Sequence, residues 1–277
     1  VKLPNKSGTG EKTMYDFNYH RPAKLADAVK LIKSKKDGKL MSGGMTLIPT
    51  MKQRLAAPSD VIDLTGLNNA GVKVTKTKVT IMAGTTHAEV ADNKDLKKAI
   101  PALAALAGMI GDPHVRHCGT IGGSVANADP AADYPAALLA LNAKVITDSR
   151  TIEAGKFFKS LFETALRTNE IIKQIEFEIP ARSAYSKFPN PASRYAMVGV
   201  FVADFGKKGV RVGVTGAKGS AYHEKAMEKA LSADFSVAAI KGIKIKADDM
   251  NADIHGSAEY RAHLVGVMAK RAVAAAK

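Results

Sequence analysis

The sequence predicts two α+β blocks in one chain, and three observations carry that prediction. Segments with helical periodicity and segments that alternate apolar with polar residues follow one another along the chain. Its 277 residues suggest two domains on a prior of about 150 residues each. A stretch rich in Pro, Ser and Asn, Ala181 to Ser193, reads as a linker between blocks of about 14–180 and 181–277.

The first block begins after a polar, glycine-bearing stretch, residues 1–13, which is expected to be a disordered extension. In "AKLADAVKLIKSKK" Leu25, Ala28, Val29 and Ile32 recur on one face, which predicts an amphipathic helix. Asp37-Gly38 then turns the chain into a short strand, Lys39 to Met41, that runs into "SGGMT". "LIPTMKQRL" predicts a short helix, "DVIDLTGL" a buried strand, and "GVKVTKTKVTIMAG" a hairpin turning at Lys76-Thr77. "LKKAI" and "PALAALAGMI" predict two short helices, with Pro101 at the first position of the second. "PAALLAL" reads as a buried helix and "AKVITD" as a strand. "EIIKQIEFEIP" puts Ile175, Phe177 and Ile179 on one face before Pro180 stops it.

In the second block, "RYAMVGVFVADF" and "VRVGVTGA" flank "GKKG" and predict a long hairpin. Three helical patterns follow. The last is capped by Ser257, has Glu259 in its first turn, and carries Tyr260, Leu264 and Val267 in register.

Composition excludes several functions. No run of about 18 apolar residues is present, so no transmembrane segment is expected. "VKLPNKSGTGEKT" lacks the apolar core of a secretory signal, and a cytoplasmic protein is the expectation, at most held at the inner face of a membrane through partners. A single cysteine, Cys118, excludes an internal disulfide framework and an all-cysteine metal or iron–sulfur site within the chain. It reads as a small apolar filler beside the glycines. The net charge of +15 invites a nucleic-acid role. Its distribution argues against one: +7 falls in residues 1–52, the rest is dispersed, lysines dominate, and no stacking aromatics interleave them. His114 and His117, three apart with only Cys118 beside them and no glutamate nearby, are a poor match to zinc spacing. His87 reads as a capping or packing residue.

Two diglycines carry the functional argument. "KLMSGGMTLIP" and "RHCGTIGGSVANADPAADYP" match neither the phosphate loop of nucleotide triphosphatases nor the Rossmann fingerprint. Glycines after a strand expose consecutive N–H groups as an anion nest, and the short helix after "SGGMT" adds its own amides. "GTIGGS" is expected to repeat the device, with Thr120 and Ser124 supplying hydroxyls. Two such turns suggest one ligand with two phosphates, and a dinucleotide is the economical choice. Asp133 opens the "YPAALLAL" helix. Two readings stand open for it: an N-cap, or a carboxylate that accepts a hydrogen bond from a ribose hydroxyl.

At these residues the sequence resembles a known family. "KLMSGGMTLIP", "AGTTHAEVA", "DPHVRHCGTIGGSVANADPAADYPAALLAL" and "EIIKQIEFEIP" are similar, in order and spacing, to the FAD-binding medium subunit of molybdenum hydroxylases. These enzymes are of the aerobic carbon monoxide dehydrogenase and xanthine dehydrogenase type, and the resemblance runs from about Tyr15 to the C-terminal helix. It implies the FAD-binding fold of the vanillyl-alcohol-oxidase type. FAD-binding subdomains would cover 14–66 and 67–180, and 181–277 would form a C-terminal domain with a three-stranded sheet and helices.

By the same resemblance Lys39, Leu40 and Met41 with Ser42, Gly43, Gly44, Met45, Thr46 and Leu47 would line the adenine and pyrophosphate side. Gly119, Thr120, Gly122, Gly123 and Ser124 would complete the cradle, Ala126 would lie near the flavin ring, and Asp133 would take the ribose. Leu166 and Lys187 match further contact positions. Gly44 and Met45 depart from the side chains usual in the family, which touches one side-chain hydrogen bond and leaves the backbone nest.

The implied function is electron transfer. A large subunit with a molybdenum cofactor would act on substrate, and two [2Fe–2S] clusters of a small subunit would relay electrons to FAD here and on to an external acceptor. A dimer of heterotrimers is the implied assembly, and no catalytic side chain or metal site is expected in this chain. A stand-alone flavin oxidase or reductase of the same fold is the alternative. It would need its own substrate cap, which the last 85 or so residues are too small and too basic to provide; a nucleic-acid binder comes third.

Overall fold

The computed structural model describes residues 14–277 of the chain, and the expected N-terminal extension lies outside the described residues. Strand β1 (Asn18–His20), helix α1 (Leu25–Ser34), β2 (Gly38–Met41), α2 (Leu47–Lys52) and β3 (Asp60–Asp63) come first. The three strands form a parallel sheet in the order β1-β3-β2. Helix α1 buries Ala28 and Ile32 against Ile62 of the central strand, as its periodicity requires. Asp60 accepts from His20 at 2.7 Å and pairs with Lys35 at 3.2 Å, which ties β1 and α1 to β3. These partners hold its pKa down at about 2. The strand expected over "DVIDLTGL" stops at Asp63, whose carboxylate accepts from the Thr65 amide and winds Leu64–Leu67 into a 3-10 turn.

Next come β4 (Val72–Val74) and β5 (Lys78–Met82), then α3 (His87–Asp92), α4 (Lys94–Ala99), α5 (Pro101–Gly108), α6 (Pro113–Cys118), α7 (Ile121–Asn127) and α8 (Tyr134–Ala140). Strands β6 (Lys144–Thr147), β7 (Thr151–Glu153), β8 (Phe158–Ser160), β9 (Glu163–Thr164) and β10 (Ile172–Glu178) follow. Five of these strands make a sheet in the order β4-β5-β10-β6-β7, while β8 and β9 form a separate hairpin. Antiparallel pairing sets Ile175 opposite both Ile81 and Val145, so the alternating residues of β10 fall on the helix-covered face. Helix α8 is buried along its whole length, which suits its unbroken apolar sequence.

The remainder contains β11 (Arg182–Pro189), β12 (Ala196–Asp204), β13 (Val210–Thr215) and β14 (Tyr222–His223), then α9 (Lys225–Ala233), α10 (Val237–Ile240) and α11 (Ala258–Ala275). Its sheet runs β11-β12-β13-β14, four strands where the family resemblance implied three; the fourth is only two residues long. The expected linker over Ala181 to Ser193 is overturned, since most of it is β11. Its Pro and Ser content misled. Pro189 sits at the strand's end beside a register shift, where a missing N–H breaks no ladder bond. On the outer edge the Ser183 amide donates to the Lys277 carbonyl at 3.0 Å.

Every residue of β12 is buried, because the sheet is covered on both faces. Val198, Val200 and Val202 pack with Val265, Met268 and Ala269 of α11, while Phe201 and Ala203 join the core that contains α8. The buried stripe of α11 runs through Arg261, Leu264, Val265 and Met268. Tyr260, expected in that register, is 41 % exposed. Among the described residues no helix is long and apolar enough to cross a membrane.

Candidate functional site

The first diglycine leaves β2 in a turn of the kind its sequence demands. Gly44 has φ +71, a left-handed conformation that side chains resist, and its carbonyl accepts from Ile48 as α2 begins. Among the described residues, the amides of Gly43, Gly44 and Met45 donate to no protein acceptor. Lys39, Met45 and Thr46 are exposed, while Leu40, Met41, Ser42 and Leu47 are half-buried.

The second diglycine is built differently. Gly122 and Gly123 are not a turn after a strand; they sit in the first turn of α7, whose N-cap is Thr120. Their amides are already engaged: Gly122 donates to the Ala83 carbonyl at 2.9 Å and Gly123 to Thr120 Oγ1 at 3.1 Å. Gly119, Ile121 and Ser124 also donate to backbone carbonyls. The expected second nest is therefore a packing device in this structure. A Cβ on Gly122 would press on Ala83 at 2.6 Å, so glycine lets α7 lie against the chain that leaves β5. Gly123 and Ala126 share the outward face of this helix, with Ser124 half-buried beside them.

The tertiary structure brings the two segments into backbone contact. A Cβ on Gly43 would overlap the Cys118 carbonyl oxygen and stand 2.8 Å from Gly119 Cα. Thr120 Oγ1 donates to Ser42 Oγ at 2.9 Å, so one hydroxyl links the cap of α7 to the first turn. The result is a seam of unengaged amides on one side and hydroxyls on both.

Asp133 occupies the N-cap position of α8 but makes no side-chain cap bond, which overturns the capping reading. Its carboxylate accepts from Tyr185 Oη at 2.6 Å and from Lys187 Nζ at 2.9 Å. The Lys187 ammonium also donates to the Met109 carbonyl at 3.1 Å. Both charged side chains are nearly inaccessible, 4 % exposed for Asp133 and 3 % for Lys187. Burial raises the Asp133 pKa, with the Lys187 charge acting against it. Tyr185 reaches the carboxylate because its ring crosses Gly199, where any side chain would collide with the hydroxyl. Tyr185 is a site residue the sequence reading missed. Tyr185 and Lys187 stand two apart and so share one face of a strand, a signal hidden by taking the segment for a linker.

A chain of contacts joins this pair to the glycine seam. Tyr134, adjacent to Asp133, lies 3.3 Å by its hydroxyl from His87 Nδ1, and a Cβ on Gly119 would lie 2.8 Å from His87 Nε2. Thr86, closed by a capping box with Glu89, caps α3, so His87 is a packing residue. Burial first, and then the Arg116 charge, lower its pKa from 6.5 to about 4. The unfolded chain takes up this proton between about pH 6.5 and about pH 4 while the folded chain refuses it. Stability is thus present above 6.5 and falls as pH drops, by about 3 kcal/mol in all. Urea titrations across that window should show the loss in wild type and a flatter profile in His87→Gln.

Other expected residues fall outside this chain of contacts. Leu166 is half-buried against the large core, and among the described residues no hydrogen bond joins it to either turn. Cys118 is exposed, so it does not serve as the small apolar filler expected; its backbone carbonyl, not its side chain, meets the glycines. His117 Nδ1 donates locally to the Pro113 carbonyl, 2.6 Å away. Among the described residues no three metal-ligating side chains converge.

Backbone amides without protein acceptors and hydroxyls on both segments make this seam a candidate site for an extended, phosphate-bearing ligand. Residues 15–181 match the family model described as the FAD binding domain in molybdopterin dehydrogenase. The chain is 34 % identical to the nicotine 6-hydroxylase medium subunit of Paenarthrobacter nicotinovorans, covering 93 % of this chain and 96 % of that one. It is 33 % identical to the carbon monoxide dehydrogenase medium chain of Afipia carboxidovorans, covering 94 % and 96 %. Reconstituted carbon monoxide dehydrogenase from Oligotropha carboxidovorans superposes with a TM-score of 0.86 at 31 % identity, over 93 % of this chain and 96 % of that one. The chain belongs to the FAD-binding medium subunits of the molybdenum hydroxylase family.

Proposed function

We propose that this chain carries electrons through FAD between a partner subunit's [2Fe–2S] clusters and an external acceptor. The complex would be of the carbon monoxide dehydrogenase type, with substrate oxidised at a molybdenum cofactor on a large subunit. The names of its relatives support the partner set, since they are medium subunits or medium chains. A dimer of heterotrimers in the cytoplasm is the assembly proposed. The proposed division assigns 14–66 and 67–180 to the two FAD-binding subdomains and 181–277 to the C-terminal domain.

The observation that carries the reading is the seam where Gly43 meets Cys118 and Gly119. The residues there fit FAD: unengaged amides at Gly43, Gly44 and Met45 suit a pyrophosphate, and Ser42, held in place by Thr120, and Thr46 offer hydroxyls. Bound FAD supplies the redox chemistry, taking electrons singly and giving them up in pairs. The chain's own residues hold, orient and exclude water. In this reading Lys39 to Leu47 lie along the adenine and pyrophosphate, and Gly123, Ser124 and Ala126 face the ligand from α7. Asp133, fixed by Tyr185 and Lys187, would accept from the ribose with a remaining lone pair of its carboxylate. Leu166 and Lys187 are retained as outer contacts.

The test is direct. The purified chain, reconstituted with FAD, should show a flavin absorbance spectrum at close to one equivalent. Co-expression with the large and small subunits of a carbon monoxide dehydrogenase-type enzyme should yield one complex on size exclusion. A chain that takes up no FAD under any reconstitution sinks the reading. A flavin-loaded chain that oxidises a substrate unaided favours the stand-alone enzyme.

A further inference from the structure

A cavity of about 480 Å³ opens beside β7, where Lys144, Arg150, Thr151, Glu153, Lys156 and Lys159 line it. It shares no lining residue with the glycine seam or with the Asp133, Tyr185 and Lys187 cluster. Its four cations come from β6, the β6–β7 turn, the 3-10 turn Ala154–Lys156 and β8, so folding gathers them and no run in the sequence does.

The arginine is held rigidly with one end free. Its Nε and Nη2 donate to the two oxygens of Glu170 at 2.8 and 2.9 Å, and Nη2 donates also to the Ala165 carbonyl. Glu170 accepts in turn from Thr147, Ser149 and the Arg167 amide. The remaining nitrogen, Nη1, has no partner among the described residues and is not buried from solvent. The Arg150 side chain as a whole is 36 % exposed.

The lysines are less engaged still. Lys144 stands opposite Glu153 and Glu176 in the sheet register, yet pairs with neither; Glu176 pairs with Lys78 at 3.1 Å. Lys144 and Lys159 are exposed and make no hydrogen bond or ion pair among the described residues. Lys156 lies 3.5 Å from Glu153, a solvent-exposed pair of little strength. The backbone adds donors, because β7 is the free edge of the five-stranded sheet. The Thr147 amide donates to the Arg150 carbonyl and the Ala154 amide to the Ala143 carbonyl. The alternation of an antiparallel ladder then turns Ile152 toward β6 and the amides of Thr151 and Glu153 away from it. Neither amide meets an acceptor beyond the sheet among the described residues.

Charge and shape select the ligand. Four cations against Glu153 and Glu170 leave an excess of two positive charges, which suits a dianion. Donors that come from a guanidinium, two ammonium groups and an edge amide suit a group with three acceptor oxygens better than a planar carboxylate. No aromatic side chain lines the cavity, so stacked bases are not what it takes. We propose that this cavity binds the phosphoryl group of a small phosphorylated ligand, held by Arg150 Nη1, Lys144, Lys159 and the Thr151 amide. The inference does not rest on the FAD reading.

Phosphorus NMR titration of the full chain tests it, with methyl phosphate as the probe at pH 8 and FAD already added to fill the seam. Methyl phosphate should saturate with a Kd on the order of 1 mM, as expected for so few atoms. Malonate, a dicarboxylate of equal charge, should compete at least about tenfold more weakly at matched ionic strength. Lys144→Gln and Lys159→Gln alter exposed, unpartnered side chains, keep the fold, and should weaken binding about fivefold each. Lys73→Gln removes the same charge from β4 at the opposite edge of the sheet and should leave the Kd unchanged. Sedimentation with phosphatidic acid vesicles that methyl phosphate reverses would assign the phosphoryl group to a lipid headgroup, and its absence to a soluble ligand. No saturation, equal weakening by Lys73→Gln, or competition by malonate as strong as by methyl phosphate itself would each overturn the proposal. A chain that takes up no flavin leaves the test intact, because the lysine variants still separate this cavity from the seam.

Discussion

Gly43→Ala should lower FAD occupancy by at least about tenfold, the largest effect expected of any single methyl group in this protein. The added Cβ would overlap the Cys118 carbonyl oxygen and press on Gly119 Cα at 2.8 Å. Both are backbone atoms, so no side chain can rotate out of the way. The two segments must part, and the 2.9 Å bond between Thr120 and Ser42 goes with them. Overpacking of this kind costs about 1–3 kcal/mol of stability, in addition to the lost ligand geometry. Gly155→Ala is the control: it lies outside the seam, and a Cβ there would meet nothing within 4 Å. Flavin absorbance after reconstitution, with urea denaturation of the apo chain, reads both quantities. Equal occupancy in Gly43→Ala and wild type would remove the seam from the FAD site.

The buried pair should give the second large effect. Asp133→Asn leaves the Lys187 ammonium without a carboxylate in a site where it is 3 % exposed, a loss expected to cost about 3–5 kcal/mol. Lys187→Met should cost less, because Asp133 can then take up a proton and become neutral. Its pKa is already raised by burial despite Lys187, and the sign of the linkage follows. The folded chain holds this proton more tightly than the unfolded chain, so the carboxyl's contribution to stability declines as pH rises above 3.8 through its folded pKa. The double variant Asp133→Asn with Lys187→Met removes both charges and should be more stable than the sum of the single losses by about 2 kcal/mol. Additive losses in urea titrations would show that the two groups do not act as a pair. The stabilisation by FAD, compared between wild type and the double variant, then separates a structural pair from a ligand contact.

Acid sensitivity has a second component. Asp60, Glu170 and Glu228 have pKa values held down at about 2 by their partners, so their contributions are lost below the ordinary carboxylate values of 3.8 and 4.5. The His87 loss starts higher, at 6.5, and the two components separate along the pH axis.

Much of the first block was legible because its signals are local. The 3.6-residue period of α1, Pro101 opening α5 and the alternation of β10 depend on neighbours in sequence, and each is where its pattern places it. Strand β11 was not legible, since composition counts Pro189 and the serines without knowing that the proline falls at a strand end. The α11 stripe shifted because the sheet it covers, and not its own period, decides which residues face inward.

The same division runs through the site. From residue types and spacing alone, two diglycines with flanking hydroxyls suit a diphosphate, and their order along the chain carries the family. Tertiary packing was needed to show that the first segment keeps its amides open while the second spends its own on Ala83 and Thr120. It also turns Asp133 toward Tyr185 and Lys187 in place of its own helix. The physical reason is that a hydrogen bond goes to the nearest correctly oriented group, and for residues 52 and 54 positions apart that proximity exists only once the sheets have packed.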